Sequence, residues 1–143
     1  MPRLNGVLET ALYVDDKPRS VRFFHEVMGL PILLDQERLT GLDAGGNSVL
    51  LIFARGQSVD GEDTPGGHIP GHDGAGPLHM CFKIAEADYD EWRSHLRKAQ
   101  VKELSEVMWP RGGRSYYFED PDGHVLELAT PGLWWTYQPP DGR

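Results

Sequence analysis

Two polarity periods alternate along the chain, twice in the same order. Residues 7–14 (VLETALYV) repeat every two positions. Leu8, Thr10, Leu12 and Val14 fall on one face, and Val7, Glu9, Ala11 and Tyr13 on the other, as in a strand with one covered side. The period then changes. Val21, Phe24 and Met28 stand at i, i+3 and i+7, with Phe23 and Val27 beside them. This predicts a helix that starts at Lys17-Pro18, behind the acidic Asp15-Asp16, and is closed by Gly29 at the C′ position. Short strands follow over 31–35 and 37–43, then a hairpin turn at Ala44-Gly45-Gly46-Asn47 and a buried strand over 49–54 (VLLIFA). The first module, 5–54, reads β-α-β-β-β.

The second module, 78–131, repeats that order. In residues 78–84 (LHMCFKI), Met80, Phe82 and Ile84 form the apolar face and His79, Cys81 and Lys83 the other. Tyr89, Trp92, Leu96 and Ala99 are spaced as one face of a helix over 86–99, with Asp88 and Glu91 as a capping box. A strand over 101–108 leads to the loop 109–114. Then come an aromatic strand, the turn Asp120-Pro121-Asp122-Gly123 and a last strand over 125–130. On that last strand Leu126 and Leu128 face one way; Val125, Glu127 and Ala129 face the other. A carboxylate among strand leucines needs solvent, a partner or a metal.

Between the modules, residues 55–77 hold seven glycines and three prolines and show no periodicity. A loop of that length is a functional segment or a linker. His68 and His72 lie in it and are expected in solvent, as are His25 and His95 on the helices and His124 in the turn. Residues 132–143 form a tail with Leu133, Trp134, Trp135 and Tyr137, expected to pack on a cleft rim or a dimer partner.

Composition narrows the classes. The 143 residues suit one domain or two small halves. A net charge of −8 without a basic block argues against nucleic acid or an anionic membrane as partner. No apolar run reaches the ~20 residues of a membrane span, and the N-terminus lacks a signal-peptide core. Cys81 is the sole cysteine, which suits a reducing cytoplasm. A small-molecule substrate and a homodimer are the expected partners.

Three strands carry a ligand-type side chain opposite the helix-packing face: Glu9, His79 and Glu127. If the open sheet faces converge, one imidazole and two carboxylates suit a divalent ion such as Mn, Fe, Ni, Co or Zn, with positions left for substrate. The bland alternatives are Glu127 paired with Lys83 or Arg114, a satisfied core His79 and a solvated Glu9. Ser115 and Tyr117 share the parity that faces Glu127. Arg111 and Arg114, in the glycine-rich PRGGR loop, suit a carboxylate or phosphate on a substrate. Tyr13, Phe53 and Trp109 are candidate cleft walls. Cys81 shares parity with His79 and reads as a small filler.

Three motifs carry a family resemblance: LYVDDKPRSVRFFHEVMGLPI after the first strand, GPLHMCFKI opening the second module, and YYFEDPDGHVLEL at the end. They resemble the vicinal oxygen chelate superfamily, which includes glyoxalase I, extradiol dioxygenases, methylmalonyl-CoA epimerase and the fosfomycin and bleomycin resistance proteins. The resemblance implies an α+β fold of two tandem βαβββ modules forming a cupped mixed sheet around a metal. It implies Glu9, His79 and Glu127 as metal ligands. Tyr117, ten residues before Glu127, is placed like a substrate-side tyrosine of the fosfomycin-resistance transferases, so Glu127 and Tyr117 are the expected acid–base groups. Many relatives have His where this chain has Glu9, and the fourth ligand of glyoxalase I falls on Leu51. The first departure favours Lewis-acid chemistry over oxygen activation, and the second leaves the glyoxalase I ligand set incomplete, which counts against a lactoylglutathione lyase. The expected function is a divalent-metal-dependent lyase, isomerase, transferase or dioxygenase acting on a small oxygen-chelating substrate. The alternative is a metal-free drug-binding protein of the bleomycin-resistance type, supported by Trp109, Trp134, Trp135 and the acidity.

Overall fold

The computed structural model describes residues 1–140; the last three residues of the expected tail lie outside the described residues. The chain divides into two compact units, Met1–Gly76 and Pro77–Arg143. Each is a mixed four-stranded sheet with helix on one face, so the fold is α+β.

In the first unit, β1 (Glu9–Val14), β2 (Ile32–Asp35), β3 (Leu39–Gly45) and β4 (Ser48–Ala54) lie in the order β1-β4-β3-β2. β1 and β4 are parallel; the other pairs are antiparallel. Helix α1 (Lys17–Arg22) is capped by Asp16, whose carboxylate accepts the Arg19 N–H at 3.0 Å. It runs on as a π-helical turn, Phe23–Val27. Leu12, Val14, Leu50, Ile52 and Leu42 bury their side chains with Phe24 and Met28, each worth about 2 kcal/mol of hydrophobic stabilisation. β1 begins two residues later than the alternation suggests. Glu9 is thus its first residue, and Val7 and Leu8 stay exposed ahead of it.

The glycine-rich segment is not structureless. β5 (Glu62–Thr64) and β6 (Gly67–Ile69) form a small hairpin, and the segment folds back onto the first unit. Arg55 donates to the Tyr13 and Gly74 carbonyls and pairs with Asp15. The His72 N–H reaches the Ser58 carbonyl at 2.9 Å, and Ser58 is buried. Glycine is required at position 71 because a Cβ there would strike the Val59 backbone carbonyl.

The second unit repeats the arrangement. Strands β7 (His79–Lys83), β8 (Glu103–Met108), β9 (Arg114–Glu119) and β10 (Val125–Ala129) lie in the order β7-β10-β9-β8, with β7 and β10 parallel. Helix α2 (Tyr89–Lys98) covers one face with Tyr89 and Leu96. Those residues pack in a core with Tyr116, Phe118, Leu126 and Leu128. The expected capping box does not form: Asp88 makes no side-chain cap bond, because Glu86–Asp88 wind into a 3-10 turn that carries the chain into the helix. Among the described residues no helix is long and apolar enough to cross a membrane.

Candidate active site

The register of the two sheets is the same. Glu9 opens β1 opposite Val49, and His79 opens β7 opposite Val125. Two residues further, Ala11 pairs with Leu51 where Cys81 pairs with Glu127. On the adjoining strand Gly41 faces Leu51 where Tyr117 faces Glu127. Glu9 is therefore the counterpart of His79, and Leu51 that of Glu127. The ligand-type residues occupy equivalent sheet positions, but only the second unit brings two of them together.

In that unit His79 Nε2 lies 3.3 Å from Glu127 Oε2. The other ring nitrogen, Nδ1, donates its proton to the Val125 carbonyl at 2.8 Å. This fixes the tautomer and turns the Nε2 lone pair toward the carboxylate. Two lone-pair groups facing each other need a cation or a proton between them. Glu127 is held in turn. Its residue is only 4% exposed, and Ser115 Oγ donates to Oε1. Trp109 Nε1 donates to Ser115 Oγ at 2.7 Å. The chain Trp109–Ser115–Glu127 fixes one carboxylate oxygen and leaves the other for His79. Neither Lys83 nor Arg114 is the partner of Glu127. Among the described residues no group of three or more His, Cys, Asp and Glu side chains is gathered tightly enough to hold a metal ion. His79 and Glu127 are a pair of ligand type with matched lone pairs, and Glu9 stands on the other unit at the start of β1.

Tyr117 lies on the same face. Its ring stacks on that of His79, with centroids 6.2 Å apart and planes 30° from parallel. Desolvation, then the Glu127 carboxylate, raises its pKa, so the phenol stays protonated at neutral pH. Cys81 is exposed. Its thiol is nonetheless pushed up to about 12, first by desolvation and then by Glu127. That keeps it a thiol rather than a nucleophilic thiolate.

The six expected substrate contacts already have partners within their own units. The alternation that puts Ser115 and Tyr117 beside Glu127 puts Arg114 on the helix side, stacked 3.7 Å over the Tyr89 ring and 3.5 Å from Asp90. Ser115 is fully buried between Trp109 and Glu127, so it supports the carboxylate rather than meeting a substrate. Arg111 is occupied by the chain's own tail: it stacks 3.8 Å over Trp135 and donates to the Leu133 carbonyl at 3.0 Å. Phe53 is buried beneath His72, at 4.7 Å between ring centroids, with Arg38 over its ring. Tyr13 stacks on Phe53, and its hydroxyl meets His72 Nδ1 at 2.7 Å. Trp109 spends its indole N–H on Ser115. His68 pairs with Asp63, and His25 Nδ1 with the Leu30 carbonyl. His124 was expected at the surface and is fully buried. The tail packs through Tyr137, whose hydroxyl donates to the Ile84 carbonyl at 2.8 Å, while Trp134 and Trp135 are exposed.

The comparisons with known proteins fit this geometry. A family model described as the glyoxalase/bleomycin resistance protein/dioxygenase superfamily matches residues 6–128. The chain belongs to this superfamily. It is 30% identical over 133 residues to the glutathione transferase FosA of Serratia marcescens, covering 91% of this chain and 84% of that protein. It is 24% identical over 131 residues to the metallothiol transferase FosB of Staphylococcus haemolyticus, covering 91% and 86%. The crystal structure of a lactoylglutathione lyase from Agrobacterium tumefaciens superposes with a TM-score of 0.85 at 30% identity, over 94% of this chain and 99% of that one. The superfamily's repeated modules correspond to the two equivalent sheets seen here.

Proposed function

We propose that this chain is a divalent-metal-dependent enzyme of the superfamily, acting on a small substrate that chelates the ion through oxygen. One observation carries the reading: His79 Nε2 and Glu127 Oε2 face each other at 3.3 Å, with His79 Nδ1 already spent on Val125. The pair fits a cation on donor chemistry, and Glu9 is the proposed third ligand. One imidazole and two carboxylates suit Mn, Fe, Ni, Co or Zn. When bound, the ion would supply Lewis-acid polarisation of a substrate oxygen. Glu127 would serve as a ligand through Oε2, and as a base there once it leaves the ion, while Ser115 keeps Oε1 in place. Tyr117, kept protonated, donates from the same sheet face. Two curated relatives are named as transferases that use thiols and one solved relative as a lyase of a glutathione conjugate. Transfer or elimination with a small thiol as partner is therefore the chemistry we favour.

We also infer a homodimer. Ile32, Leu33 and Leu34 on edge strand β2, Leu104 and Met108 on edge strand β8, and Trp134 and Trp135 in the tail are all exposed in the single chain. Apolar surface on that scale calls for a covering partner. The function is tested by metal titration of the wild type, His79→Ala and Glu127→Ala, followed by assay of the loaded protein with glutathione and small electrophiles. Binding by the wild type that both variants lose supports the reading. Absence of binding by the wild type overturns it.

A further inference from the structure

The turn between β9 and β10 does more than reverse the chain. Asp120 Oδ1 accepts the backbone N–H groups of Asp122 at 3.0 Å and His124 at 2.8 Å. The His124 carbonyl accepts the Asp120 N–H at 3.1 Å, and Gly123 takes the positive φ of 79° that closes the loop. His124 is thereby fixed in backbone, and its ring is fully buried. Nδ1 of that ring accepts the backbone N–H of Leu78 at 2.9 Å. The acceptor role of Nδ1 places the ring proton on Nε2.

Leu78 is the residue before His79. Its N–H goes to His124 and its carbonyl accepts the Val125 N–H at 2.8 Å. His79 then returns a bond from its own Nδ1 to the Val125 carbonyl. Three hydrogen bonds thus lace residues 78–79 to residues 124–125 at the point where β7 enters the sheet. Two of them are main-chain or ligand-ring bonds. The third, from Leu78 to His124, is the only one of the three that depends on a side chain outside the His79–Glu127 pair.

We infer that His124 is a positioning residue for His79: its Nδ1 anchors the strand entry that sets the distance of the His79 ring from the Val125 carbonyl, and so the direction of Nε2. A buried ring serving only as filler would need bulk and no acceptor at this position. The consequence for metal binding rests on the function proposed above; the consequence for the His79 ring does not.

Two replacements separate these roles. Asparagine presents an oxygen at the δ1 position of histidine, whereas glutamine keeps more of the bulk but moves its acceptor one bond outward. The experiment compares His124→Asn and His124→Gln with wild type. It reads the imidazole 15N shifts of His79 in metal-free protein, the Kd for Mn2+ and Zn2+, and Tm. In His124→Asn, His79 should stay protonated at Nδ1 and metal affinity should remain within about threefold of wild type. In His124→Gln, the two His79 tautomers should mix and affinity should fall about tenfold or more, the scale of lost outer-shell support, with Tm close to that of His124→Asn. The same His79 shifts in both variants, or affinity losses that simply follow Tm, would overturn the inference. If the wild type binds neither ion, the His79 tautomer alone decides the role of His124, and the proposed function fails only if Fe, Co and Ni also do not bind.

Discussion

At the residue scale, a carboxylate is kept in a sheet by what holds its two oxygens. Glu127 has Ser115 on one and His79 on the other. Leu51, its counterpart in the first unit, faces Gly41 and Ala11 and needs neither. Ser115→Ala should therefore weaken metal binding by about tenfold while leaving the sheet intact, since it removes a support of the ligand and not the ligand. Trp109→Phe should act in the same direction with a smaller effect, because Ser115 keeps its bond to Glu127. Isothermal titration of both variants with Mn2+ checks the order. The Arg97 guanidinium holds Glu103 below its ordinary value of 4.5, with bonds at 2.9 and 3.0 Å, and Tyr116 adds another. A carboxyl lowered on folding contributes stability that is fully present above that value and is lost as pH falls through the folded one. Thermal melts from pH 6 downward should show Glu103→Gln with a shallower acid loss than wild type. Equal slopes would remove Glu103 from the account.

At the element scale, most of the sheet was legible because strand alternation is a local signal. The parity of residues 78–84 and 125–130 sets His79 and Glu127 opposite the apolar, helix-packing face of each strand, and the β7–β10 register brings them together. Parity also held the answer for Arg114, which is an odd number of residues from Ser115 and Tyr117 and so points to the helix. What was not legible depends on distant partners. The exposed Val7 and Leu8 continue the β1 alternation in sequence but lie outside the strand. His124 looked like a turn residue, and its burial follows from a bond to Leu78, 46 residues earlier. The glycine and proline content of 55–77 hid a segment held by close backbone approach and the Arg55 clamp. Gly71→Ala should force that segment off, because the new Cβ meets backbone that cannot turn aside. Hydrogen exchange should rise across residues 56–74 and stay unchanged in β7–β10. Unchanged protection at 56–74 would show that the segment is held elsewhere.

At the scale of the whole molecule, two βαβββ units share one register but differ in ligand-type residues, Glu9 in the first and the His79–Glu127 pair in the second. The exposed apolar residues of β2, β8 and the tail lead to the expectation that light scattering gives a mass twice the 16.0 kDa of the chain. A monomer at micromolar concentration would contradict the dimer and leave the His79–Glu127 pair untouched. Glu9→Ala should also weaken metal binding if Glu9 is the third ligand. In the function proposed here, the opposed lone pairs of His79 and Glu127 hold a cation. The most direct measurement is metal content and affinity of the purified wild type, His79→Ala and Glu127→Ala, by elemental analysis and titration with Mn, Fe, Co, Ni and Zn. The wild type should carry about one tightly bound divalent ion per chain, with affinity reduced by about a hundredfold or more in either variant. A wild type that binds none of the five ions, or variants that bind as tightly as the wild type, would contradict it.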